Sequence, residues 1–404
     1  MCHAAEREAS LPSRARNPER SVRIGGGHQV FASIYDATFV RDLKKGRRHS
    51  DLDSFIKLLK LVQIIPSSYH SRLVIVDPCD LPVSKRHLDM VYAHMRFTDK
   101  PNLSAITEQS RAQDSVDMVG ILHEKEATDT QCVILGNANA NSLLLVDKVV
   151  SEAIRTYCRC GQGIIVLSFI LSGVMGPVST VASIAQAMAD AMICCAFDQL
   201  MRDGALFVLD NFLSWKLLKL GTPTFWMPEP MLSNYVIGQM AWRLGLPFRC
   251  GKMLTASKIE DAQAVCESAD SINSTMLAGA YFVLHAAGWM QGGLCTGFEK
   301  LVMDTRRLGA FQKFLQGLDI SAEAFVRDAC PRVKSGGHFL CSTHTIHNYQ
   351  TALYEIALRN SDNMENWEDG ASLGMRQRSH KRRTNLLDQN EAPPLDPAIY
   401  EALQ

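Results

Sequence analysis

Apolar residues fall along this chain in short unbroken runs, each followed by a longer stretch with helical spacing. The clearest case closes the series. Residues 280–285 form a short apolar run ending at His285. A glycine-rich turn with Trp289 and Gln291 follows, and from Thr296 the positions Phe298, Leu301, Val302 and Leu308 share one helical face. A strand, a loop bearing polar and aromatic groups, and a helix make one βα unit.

The same order recurs upstream. Strands are expected at 73–76, 103–106, 131–136, 163–170, 205–210, 224–226 and 246–250, with helices at 83–96, 110–123, 145–158, 178–201, 231–244 and 258–276. The helix after 205–210 is poorly defined. Eight such units over about 250 residues are the size of a (β/α)8 TIM barrel. Continuous rather than alternating apolar strands fit a parallel sheet covered on both faces. A doubly wound open sheet is the competitor; the count of eight, and the lack of GxGxxG after the first strand, favour the barrel. Residues 1–69 read as an N-terminal cap, with a hairpin near 21–33 and an amphipathic helix over 51–64. Residues 70–320 are the barrel, and 321–404 a C-terminal helical extension packed on it.

Composition narrows the class. The 404 residues are 47% hydrophobic, with 42 basic against 42 acidic residues, which gives no electrostatic footprint for nucleic acid. The basic cluster from His380 to Arg383 reads as a solvated tail. The charged N-terminus has no secretory h-region, and the apolar run 164–176 is too short to span a bilayer. Twelve scattered cysteines without a CxxC pair fit free thiols in a reducing cytoplasm.

In a barrel, chemistry sits in the loops at the C-terminal strand ends. These hold Asp77, Thr107 and Glu108, Asn137, Asn139 and Asn141, Ser172, Phe212, Glu229, Lys252, His285, Trp289 and Gln291. Amides and aromatics dominate; no Ser-His-Asp order, carboxylate pair or phosphate loop stands out. Each residue also has a structural reading: the asparagines as a turn and helix cap, Glu229 as a first-turn acid, His285 as a bonded core histidine, Trp226 and Trp289 as packing. His338, Cys341, His344 and His347 have helical metal-ligand spacing, but Gly336 and Gly337 undermine the first turn, and no metal is expected.

Several separated strings share one further property. KRHLDMVYAH (85–94), FILSGVMGPVS (169–179), GTPTFWMPEP (221–230), ASKIEDAQAVCES (256–268), LHAAGWMQGGL (284–294) with FEKLVMD (298–304), GGHFLCSTHT (336–345) and APPLDPAI (392–399) occur in this order. Together they resemble the trimethylamine methyltransferase (MttB) superfamily over nearly all of residues 14–404. The resemblance implies a (β/α)8 barrel and methyl transfer from a methylated amine to the Co(I) of a separate corrinoid protein. The position of pyrrolysine in the trimethylamine enzymes aligns with Gln291, which implies the branch acting on quaternary amines such as glycine betaine.

A quaternary nitrogen already carries its charge and leaves as a neutral amine, so its site needs positioning and cation stabilisation rather than an acid. Phe212, Phe225, Trp226 and Trp289 would face the cation, with Lys252, His285, Asn139 or Asn141 on any substrate carboxylate. Gln291, His285 and Glu229 are the candidate catalytic residues. Cobalamin would stay on the partner, none being held tightly by this chain. No membrane partner is expected, and a homo-oligomer is left open. A barrel that binds betaines or the corrinoid protein without turnover is the alternative, motivated by Trp226 and Lys252.

Overall fold

The computed structural model describes residues 10–34, 36–105, 108–123, 125–140, 144–217, 222–224, 227–327, 329–333, 335–356 and 358–403. They fall into two compact units. One joins the chain through Thr305 to the segment from Leu373 onward, and the other is Arg306–Ser372.

The first unit is an α/β fold built on a curled, mainly parallel sheet. Its parallel order is Asn102–Ala105, Ile134–Ala140, Gly163–Ser172, Phe207–Asp210, Phe248–Cys250, Phe282–Val283 and Val30–Phe31. Val30, Leu103, Leu135, Ile165, Val208 and Phe282, drawn from six of these strands, meet in one buried cluster. A sheet in which six of seven strands send apolar groups to a common centre curls around it. Between the last and first of these strands, Ala32 bridges His70 in parallel fashion. The Ser71 N–H then donates to Pro101 O at 2.9 Å and the Leu73 N–H to Leu103 O at 3.0 Å. A second apolar layer (Val91, Val116, Val119, Ala153, Tyr157) packs helices against the outside of the sheet.

Three expectations from sequence need correction. The hairpin near 21–33 shrinks to a single antiparallel bridge between Gly25 and His28; Val22–Ile24 pairs with Leu11–Ser13, while Val30–Phe31 lies beside Phe282–Val283 within the main sheet. Residues 73–76 form no regular strand; Val76 alone makes an isolated parallel bridge, to Ala37. The strand near 224 is Thr222–Thr224, antiparallel to Phe212–Leu217, so it belongs to a hairpin rather than a strand-then-helix unit. A run of three residues containing a proline carries too little periodicity to tell the two apart.

Side-chain caps set several helix starts, one to four residues later than apolar spacing placed them. Asp51, Asp147 and Asp261 each accept a backbone N–H at the start of Leu52–Ile64, Lys148–Arg159 and Ala262–Leu277. Lys100 does the converse, donating from Nζ to the carbonyls of Val62, Ile65 and Ser68 at 2.5, 2.9 and 2.5 Å. The basic cluster is not a free tail. On helix Met375–Asp388, His380 Nδ1 and Arg383 Nη1 lie 2.7 and 3.2 Å from Oε1 of the buried Glu299. The cysteines at 79, 132, 158, 160, 194, 195, 250, 266, 295 and 341 are free thiols.

Candidate functional site

The stretch after strand Phe282–Val283 is more ordered than its glycines suggest. Trp289–Met290 and Cys295–Gly297 form a small antiparallel pair, and the second strand runs parallel to Phe39–Asp42. The tight return between them passes through Gln291, Gly292 and Gly293 at φ 56°, 68° and 102°. At Gly293 a Cβ would lie 2.6 Å from the Trp289 ring, so only glycine lets the chain pass under the indole. His285 also holds a left-handed φ of 54°, which a non-glycine residue adopts at a cost.

These turns bring four sequence-predicted residues together. The His285 and Trp289 rings meet edge to face at 4.6 Å, and the Phe212 ring lies 5.6 Å from His285 and 6.3 Å from Trp289. Phe169 joins them, 5.3 Å from Phe212. Lys252 Nζ sits 3.2 Å from the centroid of Phe212. Phe212, Lys252, His285 and Trp289 are all buried. Below them Arg249 and Asp210, on neighbouring strands and fully buried or nearly so, form an ion pair. Arg249 Nε and Nη2 and Asn137 Oδ1 are buried with no hydrogen-bond partner among the described residues.

The electrostatics follow from burial. Desolvation, then the Arg249, Arg72 and Lys252 charges, push His285 well below its usual value, so the imidazole is neutral near pH 7. Desolvation and then Arg249 also push Lys252 well down, against the pull of Asp210. Burial raises Asp210, and Arg249 draws it back. Beyond strand Val30–Phe31, Asp36 hydrogen-bonds Asp77. Burial of its carboxyl, then the Asp77 charge, raise it to about 7, although the residue as a whole keeps an exposed side. The region is therefore richer in acids than the sequence implied.

The remaining predicted residues lie apart from this cluster or outside the described residues. Gln291 is half-buried and its Oε1 accepts from Arg47 Nε at 2.9 Å; Arg47 itself stacks 3.4 Å over Phe39. Glu229 stands in the first turn of helix Pro228–Leu244, and Asn139 is exposed at the end of strand Ile134–Ala140. Asn141, Phe225 and Trp226 lie outside the described residues. His344 and His347 are on the short helix Thr343–Asn348, with His338 and Cys341 ahead of it; no group of three or more potential metal ligands gathers among the described residues.

Sequence reasoning missed Arg249, Asp210 and Arg72. Their signal was available: a charge inside an apolar strand (Phe248-Arg249-Cys250), or at its end (Val208-Leu209-Asp210), has to point into the sheet's interior and be paired there. A cleft of about 760 Å³ opens at the other end of the sheet, lined among others by Ser13, Arg14, Gln131, Gly161 and Gln162. None of the predicted site residues lines it.

A mainly parallel sheet flanked by helices, with buried rings and cations near its carboxyl strand ends, defines an α/β protein. The trimethylamine methyltransferase (MTTB) family model matches residues 1–404, and the chain belongs to that family. It is 30% identical over 397 residues to the glycine betaine methyltransferase of Desulfitobacterium hafniense (strain Y51), covering 98% of this chain and 83% of that one. It is 25% identical over 248 residues to the trimethylamine methyltransferase MttB2 of Methanosarcina mazei, covering 61% of this chain and only 49% of that one. A dihydropteroate synthase from Coxiella burnetii overlays on 77% of this chain and 100% of its own, at 12% identity and a TM-score of 0.45. Within the superfamily the chain falls in the branch without pyrrolysine.

Proposed function

We propose that this chain is a corrinoid-dependent methyltransferase. It would take a methyl group from a quaternary amine of the glycine betaine kind and pass it to the Co(I) of a separate corrinoid protein in the cytoplasm. The observation that carries the reading is the buried cluster of Phe212, His285 and Trp289 at the strand ends, in a member of this family. Ring faces stabilise a quaternary nitrogen by cation–π attraction, about 0.5–2 kcal/mol each, and they exclude water from it. The C–N bond breaks with its electron pair going to nitrogen, while the pair for the new bond comes from the acceptor's Co(I). The amine departs neutral, so no proton is needed, which suits a neutral His285. In this reading Arg249, whose buried Nε and Nη2 have no hydrogen-bond partner among the described residues, would hold a substrate carboxylate together with Lys252. Gln291, fixed by Arg47, and Glu229 have supporting roles at most in this reading. The bridges between Ala32 and His70, and the bonds from 71 and 73 to 101 and 103, support closure of the sheet into a (β/α)8 barrel.

The test is incubation with a Co(I) corrinoid protein and glycine betaine, proline betaine or carnitine. Demethylated amine and methylated corrinoid are expected. No transfer from any of the three, beside an active glycine betaine methyltransferase, refutes the assignment. One observation favours a second reading, binding without turnover: Lys252 Nζ occupies the face of Phe212 that a ligand cation would use. Calorimetric binding of a betaine without methyl transfer would support it, and a single confirmed turnover would end it.

A further inference from the structure

Helix Thr180–Met201 faces its charge inward. Its two acids, Asp190 and Asp198, are 2% and 1% exposed, and Asp190 Oδ1 accepts the Leu144 N–H at 3.1 Å. The opposite face carries Val181, Ala185, Ala189, Ile193, Ala196 and Leu200, all exposed and three or four residues apart, with no charge among them. Leu200 is 87% exposed and Val181 78%. The neighbouring helix Pro228–Leu244 continues the surface with Leu232, Val236 and Met240 at intervals of four, and Val174 and Val178 extend it at the helix start. A water-facing helix normally has the reverse pattern, and a contiguous apolar surface of this kind marks an interaction site.

We propose that this flank is where two copies of the chain pair. A face without charge calls for a partner face without charge, and the same flank on a second copy supplies it through a two-fold, self-complementary contact. Ala185, Ala189 and Ala196 put small side chains along the centre of the stripe, so a facing helix approaches closely. Taken at their fractional exposures, Val174, Val178, Val181, Ile193, Leu200, Leu232, Val236 and Met240 present on the order of 800 Å², one partner's share of a standard interface. A lipid surface is the other occupant this helix's length and hydropathy would admit, but its inner face is buried on the protein's own sheet.

Light scattering on the full chain after size exclusion tests the pairing. Wild type should have at least twice the 44.8 kDa chain mass. Ile193→Lys/Leu200→Lys, and separately Ala189→Arg, should run at 44.8 kDa with unchanged far-UV circular dichroism, since lysine and arginine are good helix formers at exposed positions. Wild type that stays monomeric at every concentration overturns the proposal. So does an oligomer that survives both variants with its fold intact. Wild-type monomer that pellets with neutral phosphatidylcholine vesicles assigns the flank to lipid and overturns it equally.

Discussion

At the scale of single residues, the ring cluster and the charges beneath it have separable duties. Phe212 touches Phe169, Lys252, His285 and Trp289, so it is the residue on which the proposed cation binding most directly depends. Phe212→Leu keeps an apolar group there but removes the ring face. Its expected effect is a KM for the betaine about 2- to 30-fold higher, with far-UV circular dichroism unchanged. Arg249 serves Asp210 first. Arg249→Met leaves a buried carboxylate without its partner and should lower unfolding stability by about 3–5 kcal/mol in urea titrations, with Asp210→Leu added to it recovering most of the loss. His285, Trp289, Phe212 and Lys252 were legible as loop residues after apolar strands. Their mutual contact was not, because positive φ at His285 and the return at Gly293 are set by the chain on either side, which no local pattern encodes.

At the scale of elements, the segment read from sequence as a glycine-rich loop is a small sheet that positions Trp289. Its second strand, Cys295–Gly297, runs beside Phe39–Asp42, and no periodicity links residues so far apart. Gly293→Ala pushes a methyl into the indole at a positive φ, so the betaine KM should rise, the intrinsic fluorescence maximum should shift, and unfolding stability should fall by about 1–3 kcal/mol. Lys100 gives an independent test of an element joint. Lys100→Met strips three carbonyls at the end of helix Leu52–Ile64 of their donor, and should cost on the order of 3 kcal/mol by chemical denaturation. The long helices were legible because capping aspartates and apolar spacing agree. Short strands such as Thr222–Thr224 were not, since tertiary pairing alone decides their partner.

For the whole molecule, the curled sheet buries histidines in neutral form. Desolvation lowers His70 and His94 to about 3 and His123 to about 4, and it pushes His285 down as well. All four have folded values below the unfolded one near 6.5. Above that pH neither state is charged. Below it the unfolded chain binds protons that the folded chain refuses, so stability falls as pH drops, by up to about 1.4 kcal/mol per pH unit for each histidine. Urea midpoints should therefore decline from about pH 7 to about pH 5 more steeply than in the His70→Gln/His123→Gln variant. The α/β class and the order of its units were readable from apolar runs. The place of Val30–Phe31 was not, since two residues carry no pattern and only the partner strand identifies them.

That strand also bears on how the protein is made. Val30–Phe31 leaves the ribosome early, yet its neighbour Phe282–Val283 is synthesised roughly 250 residues later. Until then one edge of the nascent sheet has open hydrogen-bonding groups, available to any other unfinished chain. Refolding should accordingly be slow and sensitive to protein concentration, and chains truncated ahead of Phe282 should accumulate as aggregates rather than as soluble fragments.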